Sequence, residues 1–340
     1  MNIDESLPDW ATLAEREWPT ALLGNGLSIN LWRGFQYVSL FNDADFTVEA
    51  REVFDELDTT NFETVLECVH HARLVAQALR EPTDVVDQLY AGVRDTLFET
   101  VVSAHVAWDH FPEEAHRAIA HELNGFRSVF TTNYDLCLYW SQLQEGRQVD
   151  LVDFMWNSGW TFAPSNVEVR SGRATPIYYL HGAVHLWQDE AGLNGKWTSA
   201  DSGNLLDLAS KYPADSGRRP LFVSEGTSKA KVRSIQRSAY LAFCRDTLTE
   251  NESNTLVFGH SLSDTDRHVI DALDAGRPRT IAVSLFPSGD PKEVIETKAR
   301  ILRSLDRHKV FFFDSTTHPL GAATLQIRDG AGARSNTWTR

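Results

Sequence analysis

Cysteine is scarce. The three cysteines among 340 residues, Cys68, Cys137 and Cys244, stand far apart and form no C-x-x-C pair. That excludes a disulfide framework and a thiolate zinc site and points to a reducing compartment. Positive charge is also in deficit, with 32 Lys and Arg against 47 Asp and Glu, a net charge of −15. A surface of that sign is poorly suited to capturing nucleic acid or an anionic membrane, so no direct binding to either is expected. No stretch approaches the roughly 18 uninterrupted apolar residues of a membrane-spanning helix. Residues Met1 to Trp18 carry Asp4, Glu5, Asp9, Glu15 and Glu17 where a signal peptide needs a basic flank and an apolar run. A cytoplasmic location is therefore expected. Internal repeats and low-complexity tracts are missing too. What remains is a globular composition, 42% hydrophobic, 23% charged and 11% aromatic, which excludes a disordered or fibrous chain.

Along the chain, apolar strands alternate with amphipathic helices. Short apolar runs end near Leu23, Thr132, Leu180, Val223, Phe258, Phe286 and Phe313. Between the first two lies a helical stretch. Thr60-Asn61-Phe62-Glu63 fits a capping box, and Phe62, Val65, Leu66, Val69, Ala72, Ala76 and Leu79 keep one helical face. A second helix repeats the pattern from Val86 to Val101, and a third starts at Pro112 and stops at Asn124-Gly125. A basic helix is expected from Ser228 to Thr247, and 189–219 reads as a long loop. The pattern predicts an α/β fold, a Rossmann-like parallel sheet of about six strands with helices on both faces. The expected organisation is an N-terminal extension over 1–20, one domain over 21–318 with a helical insertion at about 47–124, and a loose tail over 319–340.

In such sheets ligands bind at the carboxyl ends of the strands, and the polar motifs of this chain all fall there. They are Gly24-Asn25-Gly26-Leu27-Ser28, Thr132-Asn133-Tyr134-Asp135, His181-Gly182 and Gly259-His260-Ser261, the last followed by Asp264. Each has a plainer use as well. Gly24-x-Gly26 serves as a structural turn, Asn133 or Asp135 as a helix cap, His181 as a buried histidine and Gly259-x-Ser261 as a helix-entry loop. Thr255 to Ser263 also reads as a partial nucleophile elbow around Ser261, with Asp290 or Asp306 and His308 or His318 in triad order, but Ser263 stands where the elbow has glycine. His181-x-x-x-His185 has metal-ligand spacing without the glutamate of H-E-x-x-H.

In this order the four motifs resemble the SIR2-like, sirtuin-fold superfamily, with its G-x-G-x-S, T-x-N-x-D, H-G and G-x-S signatures. The resemblance runs from about Ala21 to Leu273. Residues 182–243 contain no cysteine, so the four-cysteine zinc module of sirtuin deacetylases is missing, and Asn25 replaces the usual alanine between the glycines. Both departures resemble the prokaryotic branch whose members hydrolyse NAD in anti-phage defence. The resemblance implies NAD as substrate, cleaved to nicotinamide and ADP-ribose, with no metal. It implies Asn133 and His181 as catalytic residues, Asn133 positioning ribose and water and His181 acting as general base because it would titrate near neutral pH. It assigns NAD contacts to Gly24, Asn25, Gly26, Ser28, Thr132, Asp135, Gly259, Ser261 and Asp264, with backbone N–H groups of Gly24 to Leu27 on the pyrophosphate. Control would come from homo-oligomerisation through the helices from Phe62 to Val101, or from a partner such as a translocase-type ATPase or an Argonaute-like protein. Two alternatives stay open: a catalytically silent NAD or ADP-ribose sensor on the same fold, and a serine hydrolase using Ser261.

Overall fold

The computed structural model describes residues 3–146, 148–167, 174–198, 212 and 217–327. A short helix α1 (Ala11–Ala14) precedes strand β1 (Thr20–Leu23). Six helices follow without an intervening strand: α2 (Asn25–Leu31), α3 (Tyr37–Asp43), α4 (Val48–Glu56), α5 (Phe62–Leu79), α6 (Asp84–Ala104) and α7 (Glu113–Asn124). The helical region therefore begins directly after β1, not near residue 47. Asn61, not Thr60, caps α5, its side chain accepting the Glu63 N–H. Helix α5 buries Phe62, Glu63, Val65, Leu66 and Val69, after which its second half leaves the core.

The chain then builds β2 (Ser128–Thr131), α8 (Cys137–Glu145), β3 (Leu151–Val152), β4 (Thr175–Tyr179), β5 (Gly182–Asp189), β6 (Asn194–Lys196) and β7 (Arg218–Phe222). Helices α9 (Ser228–Gln236) and α10 (Ala239–Thr249), strand β8 (Thr255–Phe258), α11 (Arg267–Asp274), β9 (Thr280–Leu285), α12 (Pro291–Ser304) and β10 (Lys309–Asp314) complete the order.

The main sheet has seven parallel strands in the order β10-β9-β8-β1-β2-β4-β3. Strands β1, β4 and β8 are buried along their whole length, as expected of a sheet covered on both faces. From central β1 the sheet extends on one side through β2, β4 and β3, the chain reaching edge strand β3 before returning to β4, and on the other through β8, β9 and β10 in chain order. The crevice between β1 and β8 is thus the switch point where such sheets bind ligands.

Three expectations need correction. The apolar run at Leu221 to Val223 does not join the parallel sheet. It ends β7, which pairs antiparallel with β5 in a separate three-stranded sheet of order β6-β5-β7. Gly182, at φ +74, turns the chain out of the main sheet there, and an added Cβ would lie 2.0 Å from the Leu221 carbonyl oxygen. The seventh parallel strand is β3, an edge strand of two residues too short to show a pattern. The basic helix breaks in two at Ser238, whose side chain caps α10 by accepting the Leu241 N–H.

Residues 194–196 of the expected long loop form β6, while 199–211 and 213–216 lie outside the described residues. The expected tail starts with short 3-10 turns at Pro319–Gly321 and Ala323–Leu325, and Ile327 N–H donates to Leu31 O at 2.9 Å. The rest of that segment lies outside the described residues. Among the described residues, no helix is long and apolar enough to cross a membrane.

Candidate functional site

The turns that follow β1 and β8 are packed glycine on glycine. An added Cβ on Gly26 would sit 2.6 Å from Gly259 Cα, and one on Gly24 2.5 Å from His260 Cα. Gly259 adopts φ +67, a conformation that favours glycine. The close approach consumes backbone donors. Gly24 N–H donates to Phe258 O at 2.9 Å, Gly26 N–H to Gly259 O at 2.8 Å and Leu27 N–H to Gly24 O at 3.1 Å. The expected four-amide cradle for a pyrophosphate is therefore largely spent on joining the two turns.

Beside these turns lies a cavity of about 600 Å³. Asn25, Gly26, Thr132, Asn133, Asp135, His181, Gly259 and Ser261 line it, so one space gathers residues from all four motifs. Gly24, Ser28 and Asp264 are not on its wall. Gly24 and Ser28 are buried behind it, and Asp264 is exposed at the start of a 3-10 turn. Two residues further on, Asp266 faces the cavity instead. Arg33 lines it as well and is, among the described lining residues, the one with a permanently charged basic side chain.

Asn133 is held by a relay. Its amide nitrogen donates to Ser28 Oγ at 2.8 Å, and Ser28 Oγ donates to Asp135 Oδ2 at 2.5 Å. The other Asp135 oxygen accepts the Cys137 N–H at 2.8 Å, a cap at the start of α8. Ser28 and Asp135 thus fix which way the Asn133 amide faces. Its carbonyl oxygen, Oδ1, is buried without a hydrogen-bond partner among the described residues. A buried acceptor left open at a cavity wall is suited to a hydroxyl or water donor.

His181 follows β4 and is buried, with Nε2 2.8 Å from His268 Nε2 and 3.8 Å from Asp266 Oδ1. Burial holds its imidazole well below the ordinary histidine range, against the pull of Asp266. This corrects the expectation of titration near neutrality: His181 is a neutral imidazole at neutral pH. His268 is likewise pushed down by burial, to about 3. His260 accepts the Leu262 N–H at Nδ1, while its Nε2 points towards Asp266 Oδ2 at 3.7 Å.

Behind them Lys231 is fully buried, its Nζ 2.7 Å from Asp266 Oδ1 and 3.0 Å from Glu63 Oε2. Burial alone would lower this lysine and raise Asp266, but Glu63 and Asp266 together raise Lys231, and His181, Lys231 and His260 lower Asp266, while burial raises Glu63. Tyr134 donates to Val223 O at 2.7 Å, and its hydroxyl lies 3.5 Å from Glu63 Oε1. Sequence reasoning missed Glu63, Lys231, Asp266 and His268. They come from α5, α9, the turn before α11 and α11 itself, and no local spacing announces that they meet.

The sequence model of one family, described as Domain of unknown function (DUF4917), matches residues 21–320. This chain belongs to that family. The matched span of the DUF4917 chain covers the parallel sheet and most of the cavity wall. No curated protein matches it. Among solved structures, a chain described under the structural basis for the mechanism and regulation of Sir2 enzymes is 12% identical. That match covers 87% of this chain and 94% of the other, with a TM-score of 0.29.

Among the described residues of the DUF4917 chain, two groupings bring atoms able to ligate a metal within 4.8 Å of one another, His105–Asp135–Cys137 and His181–Asp266–His268. In the first, His105 Nε2 accepts the Leu136 N–H, its Nδ1 pairs with Val106 O, and both Asp135 oxygens are taken. In the second, the Lys231 ammonium already sits on Asp266. The spaced pair His181 and His185 divides, since His185 stacks on Tyr139 at 4.2 Å within the small sheet. The triad partners expected for Ser261 are committed elsewhere. His308, at the start of β10 and so at the opposite end of the strands, faces Asp274 at 3.2 Å, and His318 accepts the Leu320 N–H.

Proposed function

We propose that this DUF4917 protein hydrolyses NAD+ to nicotinamide and ADP-ribose. The observation that carries the reading is the open, buried Asn133 Oδ1 on the same cavity wall as a neutral His181. The four motifs that resemble the SIR2-like superfamily support it, because they converge on that one cavity.

Adenosine would lie along Gly259, Ser261, Ser284 and Thr316. The diphosphate would face Arg33, which takes over what the occupied turn amides of Gly26 and Leu27 cannot supply. The nicotinamide ribose would reach Asn133 and His181. There the bond from the anomeric carbon to the pyridinium nitrogen breaks, and its electron pair leaves with nicotinamide. Asn133 Oδ1 accepts a hydrogen bond from ribose hydroxyl or water, and the water oxygen bonds to the anomeric carbon. The water's proton passes to the neutral imidazole of His181 and on to solvent. The contact with His268 orients the ring, and Asp266 favours the protonated form that this step creates. We extend the reading to an effector that depletes NAD+ in anti-phage defence, controlled by assembly or by a partner protein.

One observation favours the alternative of a silent NAD or ADP-ribose sensor: His181 Nε2 is already engaged by His268. Incubating purified protein with NAD+ and measuring nicotinamide and ADP-ribose by chromatography separates the two. Release of both in equal amounts supports hydrolysis. NAD+ bound and recovered whole supports the sensor. Labelling of Ser261 by a fluorophosphonate would move the assignment to a serine hydrolase.

A further inference from the structure

The wall beside His181 sets two carboxyl groups against one ammonium. Glu63 and Asp266 both line the cavity, and both contact the single buried ammonium of Lys231. The histidines around them add no positive charge. His181 and His268 meet nitrogen to nitrogen at 2.8 Å, so the accepting ring is neutral, and burial holds both rings below the ordinary histidine range. His260 accepts a backbone N–H at Nδ1, which a protonated ring cannot do. Two carboxyl groups thus share one lysine; Asp266 is held below the ordinary carboxylate range and burial raises Glu63 above it, so the group is net negative whenever Glu63 is ionised. Asp135 adds a further buried carboxylate to the wall, and Arg33, which also lines it, is exposed and screened by solvent.

Asp266 has Lys231, His181 and His260 around it, and Glu63 has Lys231 on Oε2 at 3.0 Å, a side-chain hydrogen bond from Thr265 and the Tyr134 hydroxyl 3.5 Å from Oε1. The position of Glu63 is fixed from the backbone up, because Asn61 caps the first turn of α5 through the Glu63 N–H at 2.9 Å.

We propose that Glu63, presented by the helical region after β1, makes the site selective for the oxidised, pyridinium form of the nicotinamide dinucleotide over the reduced, uncharged ring. The inference rests on the NAD+ reading above. A cationic ring beside the Glu63–Lys231–Asp266 group meets a complementary charge. The uncharged dihydronicotinamide ring gains no such attraction. The same carboxylate favours the positive charge as it passes from the pyridinium to the anomeric carbon.

The test is calorimetric binding of three ligands that the protein does not consume: the carbocyclic analogue of NAD+, NADH and ADP-ribose. Wild type is expected to prefer the carbocyclic cation over NADH by about tenfold to a hundredfold, the worth of one unit charge at roughly 6 Å in partly buried surroundings. Glu63→Gln should bring the two ligands to similar affinity with ADP-ribose unchanged, and Glu63→Asp should keep the preference. Equal affinities in wild type, or an intact preference in folded Glu63→Gln, would overturn the proposal and leave the NAD+ reading standing. Failure of wild type to bind either the carbocyclic analogue or ADP-ribose would overturn both. Should Glu63→Gln not fold, the wild-type ratio alone decides.

Discussion

At the scale of single residues, the site divides into groups that face the cavity and groups that hold them. Asn133 and His181 belong to the first kind and Ser28 to the second, while Asp135 both lines the cavity and holds the relay. Asn133→Ala and His181→Ala are each expected to lower nicotinamide release by about two to four powers of ten. ADP-ribose affinity should change little, since both act at the reacting ribose. Turnover by rapid quench and binding by calorimetry check this, and near-normal turnover in either variant would remove it from the reaction. The motif residues were legible in the sequence because each ends an apolar run, and strand ends are where such sheets place function. The roles were less legible. Ser28 and Asp135 look like ligand contacts until the relay to Asn133 is seen, and His181 looks like an ordinary histidine until its burial against His268 is seen. Asp264 and Asp266 differ by half a turn, which spacing alone does not resolve.

At the scale of elements, the small sheet of β5, β6 and β7 follows the His181-Gly182 turn, where sirtuin deacetylases carry their zinc module. Here a buried ion pair ties the sheet to the main body, Lys196 Nζ to Asp153 Oδ2 at 2.7 Å. The ammonium also lies 4.1 Å from the ring centre of Trp156 and 5.3 Å from those of Tyr139 and Trp160. Purified protein is therefore expected to carry no stoichiometric zinc by emission spectrometry and to keep its urea midpoint in EDTA. Lys196→Met, which strands a buried carboxylate, should cost about 3–5 kcal/mol in urea unfolding. One zinc per chain surviving dialysis would contradict this account. The lack of cysteine over 182–243 is readable from the sequence. The Lys196–Asp153 pair is not, because Asp153, Lys196 and the aromatic rings come from separate segments. Strand direction was equally hidden: the apolar run at Leu221 to Val223 looks the same in a parallel or an antiparallel sheet, and only the turn at Gly182 decides.

At the scale of the whole molecule, buried histidines set the response to acid. His116 is pushed down to about 4 by burial, His268 and His318 to about 3, and His181 and His185 lie well below the ordinary range. Below about pH 6.5 the unfolded chain takes up protons at these positions and the folded chain does not, so stability falls as pH falls. The three histidines with the milder shifts should together remove about 3 kcal/mol per pH unit between pH 6 and 5. Glu122 and Glu225, raised by burial, work in the opposite sense as their own range is reached. Urea midpoints that stay level from pH 7 to 5 would contradict this.

Assembly belongs to the same scale. The outer ends of α5 and α6 expose Leu74, Val75, Leu79 and Val85, the last two at 68% and 78%. A second copy of the chain is proposed to cover this row. Light scattering should then give a mass above one chain, and Leu79→Lys with Val85→Lys should reduce it to one. A wild-type monomer with full NADase activity at nanomolar concentration would sink the idea.

The cavity wall runs from Asn25 to Gln326, with Ser315, Thr316 and Gly321 among its last contributions. Synthesis proceeds in that order. A chain still emerging from the ribosome presents Asn133 and His181 long before the segment that closes the far wall exists, and Lys231 and Asp266 arrive between them. Asn133 and His181 therefore meet their full surroundings only once the segment up to Gln326 has left the exit tunnel, and a product ended before it lacks that enclosure.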